Sequence, residues 1–181
     1  SPISTDAAER ICRRFGIDQV RFTNSGTEST MYAVRVARSA TGKRDIVKVE
    51  GGYHGSYDPF VVSSKPKLDA AGDADFPTAV VDENLVAGNV HVVPYNNPES
   101  LEQIFAKHAS TIACFIVEPV LENIGIVLPD AGYLERVREL CDQYGIVLIF
   151  DEVKTGLTAG HQGAAQRLGV KPDLITLAKS I

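Results

Sequence analysis

Five short segments carry residue types and spacings that could do chemistry. Asn24-Ser25-Gly26-Thr27-Glu28 joins the Ser-x-x-Glu spacing of a helix capping box to a glycine that lets backbone approach a ligand closely. Free N–H groups at a helix start, flanked by the hydroxyls of Ser25 and Thr27, make a cradle for a phosphate; a helix that is simply well capped has the same pattern. Gly51-Gly52-Tyr53-His54-Gly55 brings an aromatic ring to the end of an apolar run, and a plain Gly-rich turn with its tyrosine in the core is the alternative. Asp151-Glu152 directly follows the apolar stretch 146–150. An acid there can pair with a cationic ring nitrogen and keep a bound heterocycle protonated, or it can be a solvated strand-end carboxylate. Lys179 follows the apolar run 174–177, where partial desolvation would favour the free amine that Schiff-base chemistry needs; a surface lysine is the ordinary explanation. Glu118-Pro119 closes a further run, a placement that is more often structural than catalytic.

Other chemistries fit less well. Thr41-Gly42-Lys43-Arg44 resembles the end of a nucleotide phosphate loop, but Ala37 stands where that loop needs its first glycine and Arg44 where Ser or Thr should meet magnesium. A metal-dependent nucleotide hydrolase using Asp151 and Glu152 is disfavoured for that reason. A formal charge of −5 and pI of about 5.4 argue against a nucleic-acid or anionic-membrane partner. Cys12, Cys114 and Cys141 are odd in number and widely spaced, so neither a disulfide framework nor a zinc site is indicated and a reducing cytoplasm is expected. Apolar runs fall far short of the ~20 residues of a membrane span, and no charged-then-apolar signal opens the chain.

The elements that must position these groups follow from period and punctuation. With 181 residues, 44% of them hydrophobic, the chain can bury one α/β-sized core without staples. Helices are expected over residues 7–15, ending at Gly16, and over 27–40, closing at Gly42; two more are expected over 101–108 and 133–144. Strands are expected at 46–49, 90–93, 111–117, 146–150 and 174–177, and residues 20–22 are expected to enter the core. Between 63 and 89 the period disappears among Pro, Asp, Ala and Gly, which predicts a long irregular connection. Apolar strands alternating with helices imply a largely parallel sheet covered on both faces, with ligands beyond the carboxyl ends of its strands. Phosphate cradle, aromatic plate, acid and lysine all fall at that edge, and together they match the four features of pyridoxal 5′-phosphate (PLP).

The chain resembles the class III PLP-dependent aminotransferases of fold type I, near the glutamate-1-semialdehyde 2,1-aminomutase branch. The resemblance rests on Asn24-Ser25-Gly26-Thr27-Glu28, Tyr53-His54-Gly55, Glu118-Pro119-Val120 with Asn123 and Gly125, Asp151-Glu152-Val153 with Thr155-Gly156, and Pro172-Asp173-Leu174 leading to Lys179. It implies a three-layer α/β large domain with a mainly parallel central sheet, of which residues 1–181 would be a truncated part. It also implies that Ser25, Gly26 and Thr27 bind the cofactor phosphate, Tyr53 stacks on one ring face and Val153 packs on the other. His54 belongs to the same cofactor-binding set, and Glu118 and Asn123 would line the O3′ side. Asp151 would pair with the ring nitrogen, and Lys179 would form the Schiff base and shuttle the proton.

The activity so implied is amino-group transfer between a small-molecule amino donor and a keto acid or aldehyde, by a homodimer. Intramolecular transfer of the aminomutase type is the alternative. Against it, Thr155-Gly156 is followed by Leu157 and Thr158 where the aminomutases carry Phe-Arg. A non-catalytic binding or dimerisation module on the same fold is a further reading, and cofactor absorbance separates it from the enzyme. Family members are more than twice as long, so residues 1–181 alone are expected to be inactive and prone to associate.

Overall fold

The computed structural model describes residues 1–181. The elements in chain order are α1 (Pro2–Phe15), α2 (Gly26–Thr41), β1 (Asp45–Val49), α3 (Asp58–Val61), β2 (Val90–Val93), α4 (Pro98–His108), β3 (Ile112–Val117), α5 (Tyr133–Tyr144), β4 (Val147–Asp151), α6 (Gly163–Leu168) and β5 (Leu174–Thr176). Every strand pair is parallel, and the sheet order is β2-β1-β3-β4-β5.

Alternation of side chains splits the sheet's apolar residues between two faces. On one face Val47, Val49, Phe115, Val117, Leu148 and Phe150 pack with Leu101 and Phe105 of α4 and Val137 and Leu140 of α5. On the other, Ile46, Cys114, Ile116 and Ile149 meet Ala33, Val34 and Ala37 of α2 and Phe60 of α3. The result is the three-layer α/β arrangement with a parallel sheet that the sequence implies. Each fully buried Phe, Leu, Ile or Val contributes about 1.5–3 kcal/mol by leaving water. Packing on both faces explains why β1 and β3 are buried along their whole length.

Where elements depart from expectation, local chemistry accounts for it. Helix α1 begins at Pro2 because the Ser1 hydroxyl accepts the Ser4 N–H and proline suits a first turn. Helix α4 begins at Pro98 because the Asn97 side chain accepts the Ser100 N–H. Helix α6 was not legible from period, since six residues give too little pattern. Residues 20–22 do not enter the core: Phe22 is 52% exposed, because the chain there runs toward the start of α2 at the rim of a cleft, where no element covers it. The connection 63–89 holds neither helix nor strand. It is tied at Ser63, whose N–H donates to the Val80 carbonyl while its hydroxyl accepts the Val80 N–H at 2.8 Å.

A cation lies inside β1. Lys48, in β1, has no exposed surface, and its Nζ donates to the carbonyls of Val62 (2.8 Å) and Val49 (3.2 Å). Burial pulls its pKa down to about 7, against the opposing pull of Glu118 and Glu50. The unfolded chain keeps this proton up to the ordinary value of 10.5, so stability rises with pH from about 7 to 10.5, and below 7 the cost of the buried charge is fully felt. The Cys114 thiol, pushed up to about 12 by burial, acts in the opposite sense above pH 9. Urea unfolding between pH 6 and 10 should therefore show a slope difference approaching ~1.4 kcal/mol per pH unit between wild type and Lys48→Met. Parallel curves would contradict the assignment.

Candidate active site

In a parallel sheet all strands end at one edge. The chain steps from β1 outward to β2 and then returns past β1 to β3, so the loops leaving β1 and β3 diverge and open a crevice. A cleft of about 450 Å³ lies there. Ser25, Gly26, Thr27, Tyr53, His54, Glu118, Asn123, Asp151, Val153 and Lys179 all line it, so the structure brings the whole set that the resemblance implies to one place.

Helix α2 supplies one wall. Ser25 is its N-cap, with the hydroxyl accepting the Glu28 N–H at 3.2 Å. Glu28 reaches back to Asn24, accepting its backbone N–H at 2.6 Å and its side-chain amide at 3.0 Å, one residue further than the usual capping box. The N–H groups of Gly26 and Thr27 find no protein acceptor, and both residues line the cleft at the positive end of a 16-residue helix. Close approach explains two glycines here. A Cβ on Gly26 would lie 3.3 Å from both Val153 methyl groups, and one on Gly55, at φ 104, would come 2.9 Å from Thr27 Cα.

Asp151 ends β4 with its side chain 4% exposed. One carboxylate oxygen accepts from the Val153 N–H at 3.1 Å and the Thr176 hydroxyl at 3.2 Å; the other sits 2.8 Å from His54 Nδ1. A carboxylate has four lone-pair positions, so one on Oδ2 remains for a ligand. Its contact with a carboxylate puts the imidazole proton on Nδ1, and the buried Nε2 has no partner. Thr30, one turn into α2, fixes the same loop by donating its hydroxyl to the His54 carbonyl at 2.7 Å. The sequence offered no signal for that contact beyond the position of Thr30 after Gly26 and Thr27.

Tyr53 is 41% exposed, which sets aside the reading of it as core and leaves its ring free at the cleft. Its N–H donates to Glu118 at 3.1 Å, and the Asn123 amide donates to both Glu118 oxygens at 3.0 and 2.9 Å. Glu118 thus organises the rim, much as its structural reading holds. Glu152, beside Asp151, points elsewhere. It accepts from the N–H groups of Ala164 and Ala165 and from the Thr155 hydroxyl, and burial raises its pKa despite those bonds. These bonds tie its carboxylate to the start of α6, so it is not available for the hydrolase role. Lys179 is exposed, so the desolvation expected of it is not present; β5 ends at Thr176 and leaves the lysine on loop backbone at φ 56. Lys154, which the motifs did not single out, also lines the cleft.

An open parallel α/β domain gathers an unpartnered helix start, a buried strand-end acid, an exposed aromatic ring and an amine at its switch point, the place where such sheets bind ligands. The family model for class III aminotransferases matches residues 3–181, and the chain belongs to that family. It is 47% identical over 169 residues to the glutamate-1-semialdehyde 2,1-aminomutase of Nitratidesulfovibrio vulgaris (strain DP4), covering 92% of this chain and 38% of that protein. The crystal structure of an omega-transaminase from Sphaerobacter thermophilus superposes with a TM-score of 0.91 at 36% identity, over 98% of this chain and 41% of that one. A structure described as a transaminase with PLP bound gives 0.85 at 37% identity, over 99% and 41%. The chain thus spans about two fifths of the length of the relatives it matches.

Gly55→Ala tests the geometry without any ligand. Positive φ and the meeting with Thr27 should together lower stability by about 1–3 kcal/mol in denaturant unfolding. An unchanged midpoint would show that this close approach is not required.

Proposed function

We propose that the protein binds pyridoxal 5′-phosphate in this cleft and uses it to transfer an amino group between a small-molecule amino donor and a keto acid or aldehyde. Residues 1–181 would be part of the large, cofactor-binding domain. The carrying observation is one cleft that joins two unpartnered N–H groups at the start of α2, a spare acceptor position on buried Asp151, the Tyr53 ring and the Lys179 amine. These are the complements of a phosphate, a protonated ring nitrogen, an aromatic face and an aldehyde, so the residues present fit the group. When bound, the cofactor supplies an electron sink for a carbanion next to nitrogen.

The chain's own residues would do the rest. Gly26 and Thr27 N–H groups, with the hydroxyls of Ser25 and Thr27, would hold the phosphate. Tyr53 would cover one ring face and Val153 the other, while Glu118 and Asn123 border the side of the phenolic oxygen. Asp151 would accept a hydrogen bond from the protonated ring nitrogen and keep the proton there, and His54 would hold that carboxylate in place. Lys179 would take the proton from the substrate carbon and return it to the cofactor carbon.

A second reading is intramolecular transfer of the aminomutase type. The 47% identity to a relative of that name favours it, and Leu157 and Thr158 in place of Phe-Arg speak against it. A homodimer in a reducing cytoplasm completes the proposal. Support comes from three free thiols and from exposed Ile124, Ile126 and Leu128 at the tip of the β3–α5 loop.

The holoenzyme should be yellow, and borohydride should fix the cofactor to the peptide that contains Lys179; fixation to another lysine overturns the assignment. Asp151→Asn should cut turnover by about two orders of magnitude while shifting cofactor affinity less than about tenfold, and Tyr53→Ala should do the reverse. Wild-type turnover in Asp151→Asn would remove the ring-protonation role.

A further inference from the structure

Residues 49–62 leave the end of β1, pass through the cleft wall and return to the side of the same strand. Both ends of this excursion meet one buried amine. Lys48 Nζ donates to the Val49 carbonyl at 3.2 Å and to the Val62 carbonyl at 2.8 Å. The Gly52 N–H also bonds the Val49 carbonyl, but the Val62 carbonyl has no other donor, and Val62 is fully buried. The two ends also meet directly, the Gly51 N–H donating to the Ser63 carbonyl at 2.8 Å; Lys48 adds the one donor for the Val62 carbonyl, which left unmet would cost about 1–3 kcal/mol.

The surroundings give Lys48 no other task. In register it lies between Val92 of β2 and Ile116 of β3, both apolar and buried. The helices packed on this face, α2 and α3, bring Val34, Ala37 and Phe60. The charged groups that face it are Glu118 at the end of β3 and Glu50 at the end of β1. Glu118 in turn accepts the Tyr53 N–H at 3.1 Å, and His54 meets Asp151 at 2.8 Å. The excursion is therefore gripped in front by two acids and behind by one cation.

We infer that Lys48 is a positioning residue of the cleft: by holding the carbonyls of Val49 and Val62 it locks the 49–62 excursion that the Gly51–Ser63 backbone bond closes, and so fixes Tyr53 and His54 against Glu118 and Asp151. The inference rests on the PLP reading only for what that ring and imidazole serve. Methionine would fill the same space and remove the cost of burying a charge, which offsets the cost of leaving the Val62 carbonyl unmet, so overall stability stays near the wild-type level while the loss falls on the excursion. A positioning role thus separates from a role in the general fold.

Hydrogen exchange by mass spectrometry on the cofactor-free protein, with PLP titration beside it, tests this in Lys48→Met and Lys48→Gln. Both variants should melt within a few degrees of wild type at pH 7. Amides 50–56 should exchange about tenfold faster while those of β3 and β4 stay as protected as in wild type. The dissociation constant for PLP, read from visible absorbance, should rise about tenfold. Unchanged exchange at 50–56 overturns the inference. So does protection lost evenly across β3 and β4, or failure of both variants to fold, either of which makes Lys48 a residue of the sheet at large. If wild type gives no absorbance band with PLP, the cofactor reading falls, and the exchange pattern by itself decides whether Lys48 orders the excursion.

Discussion

The carboxylate of Asp151 is the point on which the site depends. Buried at the end of β4, it can stay charged only if donors surround it, and the donors come from separate parts of the chain: His54 beyond β1, Thr176 in β5 and Val153 in its own loop. Satisfying one acid therefore aligns the ends of three strands. The cleft has its shape because these loops cannot move apart without stranding that charge.

Neighbouring acids show how environment divides labour among identical groups. Glu152 follows Asp151 directly, yet it turns the other way and caps a helix that local sequence would hardly form by itself. Burial raises its pKa, so the charged form is held at a cost that three hydrogen bonds only partly offset. Glu118 ends β3 with both oxygens occupied by rim donors and only one of them shared with the aromatic loop. Glu118 is as buried and also lines the cleft, but its acceptor positions are filled; of the three, only Asp151 retains an acceptor position there, on the oxygen that faces His54.

The strands were legible because burial on both faces leaves little choice of residue, and runs such as 112–117 read as apolar throughout. The residues that line the cleft were legible too, since glycine, an acid at a strand end and a lysine after a strand carry their geometry with them. Pairings between distant residues were not legible. Nothing in the sequence joins His54 to Asp151 across 97 residues, or Thr30 to the His54 carbonyl across 24. Lys48 escaped for another reason: one cation inside an otherwise apolar strand looks like an edge residue until the fold buries it. Phe22 erred in the opposite direction, because apolarity tells where a side chain is best placed and not what lies over it.

Recognition and reaction place opposite demands on these residues. Groups that orient a ligand work best when packing leaves them one position, and Ser25, Gly26, His54 and Asp151 all sit at helix starts, strand ends or in close contact with them. A group that carries a proton between two carbons must travel. In the proposed reaction Lys179 would fill that role: it is exposed, past the last hydrogen-bonded residue of β5, and on a four-carbon stem. Its backbone, at φ 56, lies in a region that favours glycine, and holding a lysine there carries strain of about 1–3 kcal/mol. The chain turns there at a residue that lines the cleft, so the same loop that frees the amine also brings it to the cleft.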